Sequence, residues 1–231
     1  MQNIYFITAN IMTFYWQWNG TGSELKHPTT IWTKWSGKDW VFRGWDRNQQ
    51  AEIELKLPEE FIVVAEGMWV EGYNEGSVTS NEFFNKGDVV KVTNWWTRTT
   101  LFEWTWESIK DKVKAAWYPI WKHLHVIFPG EEGIKTLKIK WTAWVAWSDF
   151  NALNSWAPAN NRIKITWTLK WKKGATSFVT PKFELWNPLS EEDLELQKKY
   201  WLEVFDYYNA TKLSKDDVKV KDIDDASNLP F

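Results

Sequence analysis

Arg162-Ile163-Lys164-Ile165-Thr166-Trp167-Thr168-Leu169-Lys170-Trp171-Lys172 alternates without a break. Ile163, Ile165, Trp167, Leu169 and Trp171 fall on one side of an extended chain. Arg162, Lys164, Thr166, Thr168, Lys170 and Lys172 fall on the other. Period-two alternation marks a strand with one buried and one solvated face. At ~3.3 Å per residue it runs about 36 Å, and a half-buried strand of that length needs a large antiparallel sheet around it.

Working outward, Leu137 to Ser148 carries a second alternation, with Leu137, Ile139, Trp141, Ala143, Val145 and Trp147 opposite Lys138, Lys140, Thr142 and Trp144. A second long strand is expected there. Ile31 to Trp45, broken by Ser36-Gly37-Lys38-Asp39, reads as a hairpin. Ala51–Leu57, Phe61–Ala65 and Val89–Thr93 read as shorter strands. Gln2–Trp18 reads as a strand apolar on both faces.

Helical spacing occurs twice. Ile109, Val113, Trp117, Ile120 and Leu124 recur at three- and four-residue steps behind Ser108 and Asp111, which have capping-box spacing; Pro119 must kink or end this helix. Ser190 is a good N-cap with Asp193 at N3, Leu189 and Leu194 form a hydrophobic staple, and Leu194, Trp201, Val204, Phe205 and Tyr208 make an apolar face. The expectation is an all-β antiparallel sandwich, jelly-roll-like, with two α-helices at about 108–125 and 190–208. Residues 1–186 form its body and 187–231 a helix with an acidic extended tail.

Composition narrows the chemistry. The chain has 21 Trp, and aromatic residues reach 18%, so large rings dominate its core or its interfaces. It has no Cys, which excludes disulfides, Cys-based zinc sites and thiol nucleophiles. Net charge is −2, which argues against wholesale nucleic-acid coating. The amino terminus has neither a basic segment nor a small-residue cleavage site, so no secretory signal is expected, and no apolar run reaches the ~18 residues of a membrane span. From 187 to 231 there are eleven acidic and six basic residues, an acidic appendage on a mildly basic body.

Catalytic signatures are missing. No phosphate-binding loop, dinucleotide fingerprint or nucleophile elbow occurs, and paired carboxylates such as Glu52/Glu54 and Glu131/Glu132 fit a solvated face. His123 and His125 would share a face on a strand and could bind a metal there, but at the end of a helix they point apart. With the helix extending to 125, they read as ordinary part-buried histidines. His27 is the third imidazole. No metal centre, catalytic residue or cofactor is expected. Lys138, Lys140, Arg162, Lys164, Lys170 and Lys172 form a basic surface that could meet nucleic acid but suits any solvated strand face. Trp32, Trp35, Trp95, Trp96 and Trp104 could instead build a flat platform for a glycan.

Asn161-Arg162-Ile163-Lys164-Ile165-Thr166-Trp167-Thr168-Leu169-Lys170-Trp171-Lys172 resembles a late core strand of small-virus jelly-roll capsid proteins, in which a basic-faced strand precedes a carboxy-terminal extension. The resemblance spans these dozen residues, and the chain departs from it by lacking an Arg-rich amino-terminal arm. It implies a non-enzymatic, self-assembling subunit located in a virion, forming homo-oligomers or contacting other virion subunits. Trp201, Phe205, Tyr208 and Phe231 are the expected interface residues. The alternative is a carbohydrate-binding module using the Trp platform.

Overall fold

The computed structural model of the chain describes residues 26–36, 41–55, 59–73, 76–155, 157–173 and 176–213. The expected strand at Gln2–Trp18 and the tail with Phe231 lie outside them. So do the side chains of residues 167–178, Lys170 and Lys172 among them.

The fold is all-β and sandwich-like. Among the described residues, eleven strands form one mixed sheet: β1 (Thr29–Ser36), β2 (Val41–Asp46), β3 (Ala51–Leu55), β4 (Glu59–Tyr73), β5 (Ser77–Ser80), β6 (Val89–Asn94), β7 (Thr99–Thr105), β8 (Ile120–Ile127), β9 (Ile134–Ile139), β10 (Asn161–Lys173) and β11 (Thr176–Pro188). Their order is β3-β2-β1-β9-β8-β4-β5-β6-β7, with the β10–β11 hairpin attached to β4. Every pairing is antiparallel except that of β1 with β9. These registers do not establish a jelly-roll order.

The helices are α1 (Trp106–Ala115), α2 (Thr142–Asn154), α3 (Ala157–Asn160) and α4 (Glu191–Thr211). Two expectations are corrected here. The helix expected at 108–125 stops at Ala115, and Ile120–Ile127 is a strand. Trp117 adopts a left-handed φ of 58° just beyond the helix, and Pro119 cannot continue it. The strand expected at Leu137–Ser148 ends at Ile139, and Thr142–Asn154 is helical. Trp141, at φ 49°, turns the chain between them. The run Ala143, Trp147, Phe150 then packs one helical face into the core, which the period-two reading of the same residues concealed.

The alternation at 162–166 holds. Ile163 and Ile165 are fully buried with Leu124, Leu137, Trp147 and Phe183, in a core between the sheet, α2 and the β10–β11 hairpin. Arg162, however, is not a free surface charge. Its Nε and Nη2 donate to Asp193 Oδ2 and Oδ1 at 3.0 and 3.1 Å. Asp193 also closes the capping box with Ser190 in both directions. The start of α4 is therefore pinned to β10. Its buried stripe is Asp193, Tyr200, Val204 and Tyr208, whereas Leu194, Trp201 and Phe205 of the expected apolar face are exposed. The helix is rotated because Tyr200 and Val204 fill a second core with Ile62, Val64, Ile127 and Ile134.

This second core lies on the opposite side of β8 from the first. Leu124 and Val126 face the hairpin and α2, while Ile127 faces α4. By strand alternation His123 and His125 share the Ile127 side. β8 is covered on both faces, a burial more usual in parallel sheets.

Candidate metal centre

Three segments distant in sequence meet on that face. β8 supplies His123 and His125, the segment before β1 supplies His27, and the link between β5 and β6 supplies Glu82. His123 and His125 are fully buried, and the side chains of Glu82 and His27 are 8% and 10% exposed. Glu82 is held against the sheet because its neighbour Phe83 bridges Met68 of β4 through paired backbone hydrogen bonds at 2.7 and 3.0 Å.

The carboxylate sits over Gly67. That glycine is the register partner of His123, and a Cβ there would come within 2.7 Å of Glu82 Oε1. Oε1 accepts from His123 Nδ1 at 2.7 Å and His125 Nε2 at 3.0 Å, and Oε2 accepts from His27 Nε2 at 3.3 Å. Burial alone would push this carboxyl up, but neighbouring His125 and the three ring N–H bonds hold it well below the ordinary carboxylate range. Glu82 is thus a buried carboxylate. Burial also lowers His123 to about 4 and lowers His27, against the opposing pull of Glu82. Both of these imidazoles are neutral at pH 7, the state in which a ring nitrogen can ligate a metal.

The outer contacts assign roles to the rings. His27 Nδ1 accepts the Thr29 backbone N–H at 3.0 Å, so its Nε2 carries the hydrogen given to Glu82. A backbone donor cannot be reversed, so His27 orients the carboxylate and is poorly suited to ligate. His125 Nδ1 instead meets hydroxyls, Thr136 Oγ1 at 3.0 Å and Thr29 Oγ1 at 3.4 Å. These lie 2.8 Å from each other, and hydroxyls can either donate or accept. His125 can therefore change tautomer and release Nε2 to a cation. His123 Nε2 is buried with no hydrogen-bond partner among the described residues. Leaving such an acceptor bare costs about 1–3 kcal/mol. One ligand atom each from Glu82, His123 and His125 lies within 4.8 Å of the others.

Aromatic rings wall the cluster. Trp32 lies 4.7 Å from His27 and 5.5 Å from His123, Trp69 lies 5.5 Å from His123, and Phe84 stacks on His125 at 6.1 Å. α4 closes it from outside: Tyr207 meets His27 edge-on at 4.6 Å and Tyr208 meets Phe84 at 4.8 Å. Tyr208 donates to Asp88 Oδ1 at 2.6 Å, and Asp88 Oδ2 accepts from the Phe84 and Asn85 backbones at 2.8 Å each. The helix therefore locks the turn that follows Glu82.

The residues singled out from the sequence are dispersed by comparison. Trp32 joins the metal-type cluster. Trp35 packs on Phe42, with Nε1 donating to Val179 O. Trp96 is exposed beside Tyr73, Trp95 is its half-buried neighbour, and Trp104 packs on the core around Val90 and Trp106. Trp201 and Phe205 stack at 4.9 Å on the exposed side of α4. Lys138 is buried against Glu71, Lys140 lies over Trp121, and Lys164 pairs with Glu60 on another part of the sheet. Glu82 carried no sequence signal, and the two-residue spacing of His123 and His125 was the only trace of the centre. No family model, curated protein or solved structure matches this chain.

Proposed function

We propose that this chain is a metal-binding all-β protein, with Glu82, His123 and His125 as ligands for a divalent transition metal and His27, Thr29 and Thr136 as their orienting shell. Two imidazoles and one carboxylate suit zinc first among such ions. The observation that carries the reading is the orphaned Nε2 of His123 inside a cluster whose carboxylate is already negative. The hydrogen bonds of His125 Nδ1 to the Thr136 and Thr29 hydroxyls match the outer shells that fix imidazole orientation at metal sites.

Titrating the chelator-dialysed full chain with Co2+ tests this. The expected result is saturable visible d–d absorption and, with zinc at a hundredfold excess over Kd, a rise in Tm of about 5–10 °C. His125→Ala and the near-isosteric Glu82→Gln should each abolish the absorption. A featureless titration of the wild-type chain, or an unchanged band in Glu82→Gln, would overturn the proposal.

A self-assembling, virion-type role is the second reading, supported by the stacked and exposed Trp201–Phe205 pair. Sedimentation of the wild type against Trp201→Ala/Phe205→Ser checks it. Assembly lost in the variant supports it, and a wild-type monomer at every concentration rejects it.

A further inference from the structure

The face that carries the histidines continues toward the other end of β8 and β9 as a cationic aromatic patch. Glu71 accepts from Lys34 Nζ on Oε1 at 2.5 Å and from Lys138 Nζ on Oε2 at 3.1 Å. Lys138, itself buried, lies 5.0 Å from the Trp32 ring and 5.3 Å from Trp69. Two residues further on, Lys140 Nζ lies 4.2 Å from the Trp121 ring and 4.5 Å from Trp141. Lys34 Nζ approaches the same Trp121 ring at 5.3 Å. Lys140 forms no ion pair among the described residues. Lys34 and Lys138 thus share the Glu71 carboxylate, and Lys140 adds a third ammonium group to the same patch.

The donors exceed the acceptors as well. Trp121 is buried, and among the described residues its indole N–H has no acceptor. Lys34 is paired with Glu71, but Lys140, converging on the same indole, has no carboxylate partner among the described residues. We infer that this patch binds a small oxyanion, a carboxylate or phosphate with at least two acceptor oxygens, which bridges Lys34 and Lys140 beside Trp121. Glu71 already demonstrates the chemistry, since a single carboxylate spans Lys34 and Lys138. Entry is from the solvent side, where Lys34 is 42% exposed and Trp141 65% exposed. Charge-assisted bonds to ammonium groups in a partly desolvated aromatic setting are stronger than their exposed equivalents. The inference does not rest on the metal reading.

Calorimetric titration of the chelator-dialysed full chain with inorganic phosphate, and separately with citrate, tests it at ionic strength fixed with NaCl. Saturable heat is expected with at least one of the two anions, and which one gives it separates a phosphate ligand from a carboxylate ligand. Lys140→Met should weaken binding about tenfold or more, the loss of one charge-assisted bond. Should that variant misfold, Lys34→Met serves in its place. Absence of saturable heat with both anions at millimolar concentration, or undiminished affinity in a folded Lys140→Met, would overturn the inference.

Discussion

Gly67 leaves the space that the Glu82 carboxylate fills, since a Cβ on Gly67 would lie 2.7 Å from Glu82 Oε1. Gly67 sits opposite His123 in the β4–β8 register, so the absence of one side chain on one strand admits a carboxylate beside an imidazole on the next. The obstructed atom is the end of a flexible side chain, so an alanine can be accommodated by moving Glu82 rather than the sheet. Gly67→Ala should retain the fold and weaken Co2+ binding about tenfold or more, the scale on which metal sites respond to disturbed orientation. Cobalt titration beside a thermal melt checks both halves.

Thr136→Val removes the hydroxyl 3.0 Å from His125 Nδ1 while keeping the volume of a side chain that is fully buried. The ring then loses its closer hydroxyl partner, and Thr29 Oγ1, at 3.4 Å, is a weaker substitute. Metal affinity should fall by about 10–100-fold, measured by competition with a chromophoric chelator. Thr29→Val, which affects the more distant contact, should cost less.

Tyr208 links α4 to the turn behind Glu82. Burial and then the Asp88 carboxylate raise its hydroxyl above the ordinary value of 10.0. A raised folded value means this contribution is fully present below pH 10 and declines as pH rises beyond it, because the unfolded tyrosine ionises first. Tyr208→Phe should lose about 1 kcal/mol in urea unfolding at pH 7. The difference between variant and wild type should shrink when the comparison is repeated above pH 10.

Asp193 behaves in the opposite sense. Burial pushes its carboxyl up, but the Ser190 backbone N–H and the Arg162 guanidinium outweigh this and hold it below its ordinary value of 3.8. A depressed folded value contributes stability above the unfolded value and loses it as pH falls through the folded one. Asp193→Ala should destabilise the chain by about 1–2 kcal/mol at pH 7, with a smaller deficit in strong acid. Far-UV circular dichroism during denaturant titration reads it.

Much of this fold is local enough to read from the chain. Ile163 and Ile165 alternate with Arg162 and Lys164 because one face of β10 is covered, and β1 and β2 pair antiparallel as their sequence pattern implies. Ser190 and Asp193 announce α4 because a capping box needs only residues three apart. β8 was not legible. Trp121 and each residue from His123 to Ile127 are buried, so the strand shows no polar face, and its apolar residues continue the helical spacing of α1 by coincidence. The rotation of α4 was equally hidden, since Trp201 and Tyr200 are both large aromatic residues and only the core beneath selects between them.

The sequence by itself determined that this is a strand-dominated chain, where α4 begins, and that cysteine chemistry plays no part in it. Only the tertiary structure decided that Glu82 meets His123, 41 residues away, and His27, 55 residues away. Period-two and period-3.6 patterns record which side of an element is covered, because burial acts on each residue through its nearest neighbours in the chain. A ligand set depends on which strands become neighbours. That is fixed by the pairing of β4 with β8 and by the vacancy at Gly67, neither of which leaves a local trace.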